Sequence, residues 1–404
     1  MGLVYDIFAR VELPGNCGIG HVRYSTQGAS NVVNAQPILI NYSKGTFAIA
    51  HNGQIVNHRE LRQVLEDRGN IFTTTSDTEI IAVLIAQEHH KTDDFLEAIR
   101  GAMKQLRGSY CLTILHEGKV YAVRDPNAIR PLVLGGEKGT YAVASESCAL
   151  DTIDLPLIRD VKPAEIIVID ENGYKSHPGV AGRRAHCMFE YVYFSRPDSV
   201  LDGISVYEVR KNLGRLLSEE GPVDADLVIP VPNSGITAAI GYSEESGVPY
   251  SEGLMKNRYM GRTFIMPNQE QRDAGVKVKL NPIKSEVQGK NAVLIDDSIV
   301  RGTTQRRIVK ILRDAGAEEI HVRISCPPIK HVCPYGIDMQ VSDEFIATEK
   351  NVEEICKTIG ADSLVYLSKE GLVQAIGLPA DKICMACLTG DYPIKPQQTK
   401  LTDK

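Results

Sequence analysis

At 404 residues, with 43% hydrophobic and 24% charged residues and a net charge of -6, the chain has room for two or three domains with real cores. The mild acidity offers no basic field for a phosphate backbone, which argues against general nucleic-acid affinity. No apolar run approaches the roughly eighteen residues a membrane span needs, and the start, MGLVYDIFAR, lacks a signal-peptide pattern; a cytoplasmic, membrane-free protein is expected.

In chain order, TFAIAHNG (46–53) and SYCLTILHEGKVYAVRD (109–125) read as strands bounded by Asn, Gly and Asp turn signals. Between them HRELRQVLEDRG (58–69) and DTEIIAVLIAQEHH (77–90) carry helical spacing of apolar residues. This is an antiparallel-leaning α+β pattern. The segment ENGYKSHPGVAGRR (171–184) reads as a polar link, after which the rhythm changes. ADLVIPVP (225–232) and NAVLID (291–296) are short, nearly all-apolar runs, the mark of parallel strands covered on both faces. TTQRRIVKILRDAGA (303–317) sets Ile308, Ile311, Leu312 and Ala315 on one helical face with Gly316 as a stop, and EEIHVRIS (318–325) is the next strand. That βαβ unit predicts an α/β parallel sheet. The expected boundaries are 1–178, 179–368 and a C-terminal segment 369–404.

Nine cysteines in an intracellular chain are not read as a disulfide framework. Cys17, Cys111, Cys148, Cys326 and Cys356 lie in or beside apolar runs and are expected to be buried, inert thiols.

VLIDDSIVRGTT (293–304) runs an apolar strand straight into two adjacent aspartates. Ligands of open parallel sheets bind beyond the carboxyl ends of the strands. The loop from Ser298 to Thr304 leads into a helix N-terminus, a ready phosphate site. Two carboxylates beside it suit a sugar phosphate, accepting hydrogen bonds from vicinal hydroxyls or helping to hold Mg²⁺. The plain alternative is an acidic loop that caps the helix.

The string is similar to the phosphoribosyl pyrophosphate (PRPP) signature of type I phosphoribosyltransferases. Together with FEYVYFSRPDS (189–199), GLMKNRYMGRTFI (253–265) and YGIDM (335–339), it resembles the glutamine PRPP amidotransferase family from about residue 2 to residue 393. The resemblance implies that Asp296 and Asp297 bind the ribose hydroxyls and Mg²⁺, and that Ser298, Arg301, Gly302, Thr303 and Thr304 hold the 5′-phosphate. PVPNSG (230–235) matches the pyrophosphate loop, with Ser234 assisting the metal beside Gly235, although Asn233 stands where the family usually has Asp. Lys256, Arg262, Lys277 and Lys279 match its mobile loop and would close over pyrophosphate. The implied reaction is PRPP plus ammonia to 5-phosphoribosylamine and pyrophosphate, opening purine synthesis.

The first part resembles the N-terminal-nucleophile glutaminase fold. GIGHVRYSTQG (18–28) implies Arg23 for the glutamine carboxylate, HNGQIVN (51–57) implies Asn52 and Gly53 for the oxyanion hole, and TSDTE (75–79) implies Asp77 for the amino group. The family's N-terminal Cys and its HRGQ segment have no counterpart here, and Cys17, inside the chain, carries no α-amino group. A misplaced start, a fragment and a protein that has dispensed with glutamine all account for this; as written, the glutaminase domain is expected to be incomplete and inactive. Cys187, Cys333, Cys384 and Cys387 match the subset that carries a [4Fe–4S] cluster, with tetrathiolate Zn²⁺ as the chemical alternative. Resemblance also implies a homotetramer inhibited by purine nucleotides. The competing reading is a non-catalytic PRPP- or nucleotide-binding regulator; a hexosamine-forming amidotransferase lacks the PRPP string.

Overall fold

A computed structural model describes residues 14–23, 31–257, 280–339 and 345–395. Strands β1 (Ile38–Tyr42), β2 (Gly45–Ile55), β3 (Gly108–His116) and β4 (Lys119–Arg124) form successive antiparallel pairs. Two further strands, β8 (Glu165–Asp170) and β9 (Gly173–Pro178), extend the sheet to the order β1-β2-β3-β4-β8-β9. The helices Asp77–Lys91 and Phe95–Met103 cover one face, where Ile81, Ile85, Phe95 and Ile99 meet Ile49 and Leu112. The opposite face packs through Cys111, Ala122 and Ile167 onto Leu132, Leu134 and Val161. Those residues belong to or flank a second sheet, β5 (Val133–Glu137), β6 (Thr140–Ala144) and β7 (Leu157–Asp160), in the order β6-β5-β7.

Two expectations change here. The polar link begins with a strand, β9, because an edge strand with one ladder and one open side needs no apolar run. Cys17 is exposed, in an extended stretch against the Gly118 carbonyl (3.6 Å), since flanking apolar letters do not bury a residue that no element covers. Cys356 is partly buried, and Cys111, Cys148 and Cys326 are buried as expected.

The chain crosses into its second half through β10 (His186–Cys187), a short π-helical stretch Glu190–Phe194 and the hairpin β11 (Val200–Leu201)–β12 (Ile204–Ser205). A four-stranded parallel sheet follows. Its strands β13 (Leu227–Pro230), β16 (Asn291–Asp296), β17 (Glu319–Ile324) and β18 (Ser363–Tyr366) pair in that order. The all-apolar runs arise because both faces are covered. Val228, Val293 and Ile295 meet Leu213, Ala239 and Tyr242 from helices Val206–Glu220 and Ile236–Ser246. Their neighbours Ile229, Ala292 and Leu294 meet Ile308, Leu312 and Ile355 from helices Thr303–Asp314 and Val352–Ile359. A side ribbon, β14 (Leu254–Lys256) with β15 (Leu280–Pro282), stands off this sheet. Near the C-terminus β19 (Ile383–Cys384) returns to pair in parallel with β10. Among the described residues no helix is long and apolar enough to cross a membrane.

Candidate functional site

Because β13 and β16 are parallel neighbours, with Pro230 opposite Ile295, the PVPNSG turn and the acidic loop leave the sheet side by side. Ser234 Oγ donates to Asp296 Oδ1 at 3.1 Å, so the two loops touch. Asp296 also accepts from Gln305 Nε2 at 2.5 Å and, at Oδ1, from the Asp297 N–H at 2.9 Å. Ser298 Oγ donates to Asp297. Both aspartates are buried, at 6% and 7% exposure. Burial, and then the neighbouring Asp297 charge, pushes the Asp296 carboxyl far above the usual range. Asp297 is also raised by burial, opposed by hydrogen bonds from Ser298 and Ser234 and by the nearby Arg210 cation. Two adjacent buried carboxylates suit a divalent cation or a set of hydroxyl donors.

Gly302 caps the next helix with φ at 76°, and Thr303 and Thr304 stand exposed at its first turn beside exposed Arg301. Arg210 lies buried behind the pair; it donates to the carbonyls of Tyr191 (2.8 Å) and Ser195 (2.7 Å). Lys256 is exposed at the end of β14. Arg262, Lys277 and Lys279 lie outside the described residues.

In the first half, Asn52 and Gly53 sit inside β2, not at a hairpin turn. Asn52 Nδ2 donates to Ser145 Oγ and its Oδ1 accepts from Arg130 Nη2, both at 3.4 Å. Asp77 opens its helix fully buried; it accepts the Ile55 N–H at 3.1 Å and stands 3.5 Å from His51 Nδ1. Burial opposes its ionisation, yet the charge and hydrogen bond of His51 outweigh that and keep the carboxyl below its usual value. Burial, then the charges of His51 and Arg23, press the His21 imidazole down to about 4. Sequence reasoning missed His51 as the partner of Asp77, although it stands in the quoted HNG.

The four cysteines singled out by resemblance share one core. Cys187 and Cys384 are register partners across β10 and β19. Burial raises all four thiols, and the other members of the set raise Cys187 and Cys387 further. Beside them lies Arg130, 4% exposed, with Nη1 2.6 Å from Glu190 Oε1 in ion contact, yet with Nε and Nη1 making no aligned hydrogen bond. A buried cation acting on two of the four thiols, Cys187 and Cys333, fits a thiolate-ligated, net-negative centre. Among the described residues no group of three or more His, Cys, Asp or Glu is already arranged to hold a metal ion.

Comparison with known proteins agrees with both halves. A family model described as a glutamine amidotransferase domain matches residues 21–152. The amidophosphoribosyltransferase of Methanothermobacter thermautotrophicus is 54% identical over 97% of this chain and 84% of that protein. The Bacillus subtilis amidophosphoribosyltransferase is 48% identical over 98% of this chain and 85% of its own length. The solved glutamine PRPP amidotransferase from B. subtilis, complexed with ADP and GMP, superposes with a TM-score of 0.87 at 48% identity, covering 94% of this chain and 83% of that one. A solved structure described as the allosteric regulatory enzyme of purine biosynthesis superposes at 0.88, also at 48% identity. The architecture is thus a glutaminase-like α+β domain followed by a phosphoribosyltransferase domain with a parallel sheet. With identity near one half along almost its whole length, the chain belongs to the amidophosphoribosyltransferase family, transferases whose reaction is the first step of purine biosynthesis.

Proposed function

We propose that the carboxyl edge of the parallel sheet binds PRPP and there exchanges pyrophosphate for ammonia, giving 5-phosphoribosylamine. The observation that carries this reading is the contact of Ser234 with Asp296, which joins a pyrophosphate turn to a ribose-binding acidic pair. Asp296 and Asp297 accept hydrogen bonds from the vicinal hydroxyls and hold the sugar in register. The N–H groups at the start of helix Thr303–Asp314, with Ser298, Arg301, Thr303 and Thr304, take the 5′-phosphate. Gly235 and Ser234 line the pyrophosphate turn, and Lys256 with Arg262 and Lys279 supplies cations for the leaving group. Mg²⁺, bound near Ser234, Asp296 and Asp297, would neutralise the departing pyrophosphate. No covalent nucleophile is needed at an oxocarbenium-like centre, so positioning and charge carry the rate.

Arg23, Asn52, Gly53 and Asp77 form the glutamine side, with Asn52 and the Gly53 N–H as oxyanion donors. Cys17 is exposed and takes no part in this reading. Cys187, Cys333, Cys384 and Cys387 are assigned to a structural [4Fe–4S] cluster. Brown anaerobic protein with stoichiometric iron supports that assignment, and colourless protein with one zinc overturns it. Regulation by purine nucleotides, a homotetramer and a cytoplasmic location complete the reading; the ADP and GMP bound to the B. subtilis relative support the first.

The test is pyrophosphate release from Mg²⁺ and PRPP with ammonium or with glutamine. Release with ammonium is expected, and Asp297→Asn should lower it by about two orders of magnitude or more. PRPP binding without any release would favour the regulator instead.

A further inference from the structure

Two segments approach Gly53 closely. Its φ is 146°, and a Cβ added there would fall 2.2 Å from the Ser109 carbonyl oxygen of β3. Gly336, φ 93°, also comes close: a Cβ there would lie 3.0 Å from the Gly53 carbonyl carbon, 3.2 Å from its oxygen and 3.3 Å from its Cα. A side chain at position 336 would press on the Gly53 backbone, and Gly53 itself has no space for a Cβ beside Ser109.

Gly336 is itself held. It belongs to the loop after Cys333, whose N–H donates to the Met339 carbonyl at 2.8 Å. The Tyr335 hydroxyl donates to the Ile394 carbonyl at 2.6 Å. Asn52 is gripped from a different direction. Arg130 Nη2 donates to its Oδ1, which fixes the amide so that Nδ2 turns the other way, toward Ser145. The carbonyl of Ile129, immediately before Arg130, accepts the Cys187 N–H at 3.0 Å. The flanks of two of the four clustered cysteines therefore bear on the two adjacent residues of β2, one on a backbone and one on a side chain.

We propose that Gly336 and Arg130 are positioning residues for the Asn52–Gly53 pair, so that the cysteine-bearing core sets the alignment of the glutamine-side oxyanion donors. The inference rests on the reading of Asn52 and Gly53 as those donors. Removing a single donor of this kind costs roughly 10²–10³ in rate, so small displacements matter. A methyl group at position 336 displaces either Gly53 or the Cys333 loop. A lysine at position 130 keeps the charge but loses the planar fork that holds Asn52 and Glu190 together.

Hydrogen exchange on the full chain, with calorimetric titration by glutamine, tests it. Gly377 is the control position: φ is 75° and nothing lies within 4 Å of an added Cβ, so Gly377→Ala carries left-handed strain without a contact. Gly336→Ala should speed exchange in the peptide spanning 49–56 at least tenfold, with residues 227–230 of the same molecule within twofold of wild type. Gly377→Ala should leave both peptides within twofold. Arg130→Lys should weaken glutamine binding at least fivefold with the 227–230 peptide unchanged. Exchange in Gly336→Ala equal to wild type, or wild-type glutamine affinity in Arg130→Lys, overturns the corresponding positioning role. Failure of the wild type to bind glutamine, with the exchange response intact, overturns the glutamine reading and with it the proposed purpose of the brace, and is recognisable as that separate failure.

Discussion

Glu79 organises the loop that leads into the Asp77 helix. Its carboxylate accepts the N–H and hydroxyl of Thr73 (both 2.9 Å) and the N–H and hydroxyl of Thr74 (both 2.7 Å). Burial disfavours its charge, but the hydrogen bonds from Thr73 and Thr74 together outweigh burial and hold the carboxyl below its usual value. A depressed carboxylate contributes stability above its unfolded value, near about 4.3, and loses it as pH falls through the folded one. Glu79→Gln should therefore lower stability at pH 7 by about 1–3 kcal/mol. Urea titrations from pH 7 downward should show that gap closing below about pH 4. The TSDTE string drew attention to Asp77 and not to Glu79. The same limit applies at the acidic pair. The acidic pair was legible through the whole string VLIDDSIVRGTT and its family resemblance, since two aspartates alone also read as a helix cap. Gln305 and Arg210 were not, since Gln305 bonds Asp296 from the following helix and the Arg210 charge acts from a helix much earlier in the chain.

Helices Val206–Glu220 and Ile236–Ser246 approach so closely that their glycines interlock. A Cβ at Gly214 would fall 1.9 Å from the Ala238 carbonyl oxygen, and one at Gly241 would fall 1.9 Å from that of Lys211. Alanine gains about 1 kcal/mol of helix propensity over glycine, but forcing a methyl into this crossing should cost more. Net destabilisation of about 1–3 kcal/mol is expected for Gly214→Ala or Gly241→Ala, measured by chemical denaturation. A stabilised variant would show that the helices separate freely. This pair supports the PVPNSG turn, yet neither helix stood out in the sequence. ITAAIGYSEES has small and apolar residues but no clear stripe, because its close packing depends on absent side chains. The parallel strands and helix Thr303–Asp314 were legible through their apolar runs and their spacing, with Ile308, Leu312 and Ala315 buried and Ile311 partly so. Strand β9 was not, being polar and at an edge.

Across the whole molecule, the two halves are pinned by a buried charge cluster. Arg124, at the end of β4, is fully buried and donates through Nη1 and Nη2 to Asp202 Oδ1 and Oδ2, each at 3.1 Å. His186 Nδ1 stands 2.8 Å from Asp202 Oδ2. Although burial opposes it, the hydrogen bond from His186 and the Arg124 charge keep Asp202 ionised far below the usual range. Asp202→Asn leaves Arg124 buried without its counter-charge and should cost about 3–5 kcal/mol. Two calorimetric transitions in place of one would show that the halves had uncoupled.

The pairing of β19 with β10 brings residues 383–384 beside 186–187. During synthesis, the first sheet can close long before that partner leaves the ribosome. While the residues from 188 to 382 are made, then, Cys187 waits without the strand that pairs with its own. An oxidant or a competing soft metal would find its opening on the nascent chain, and the finished protein would present a closed door.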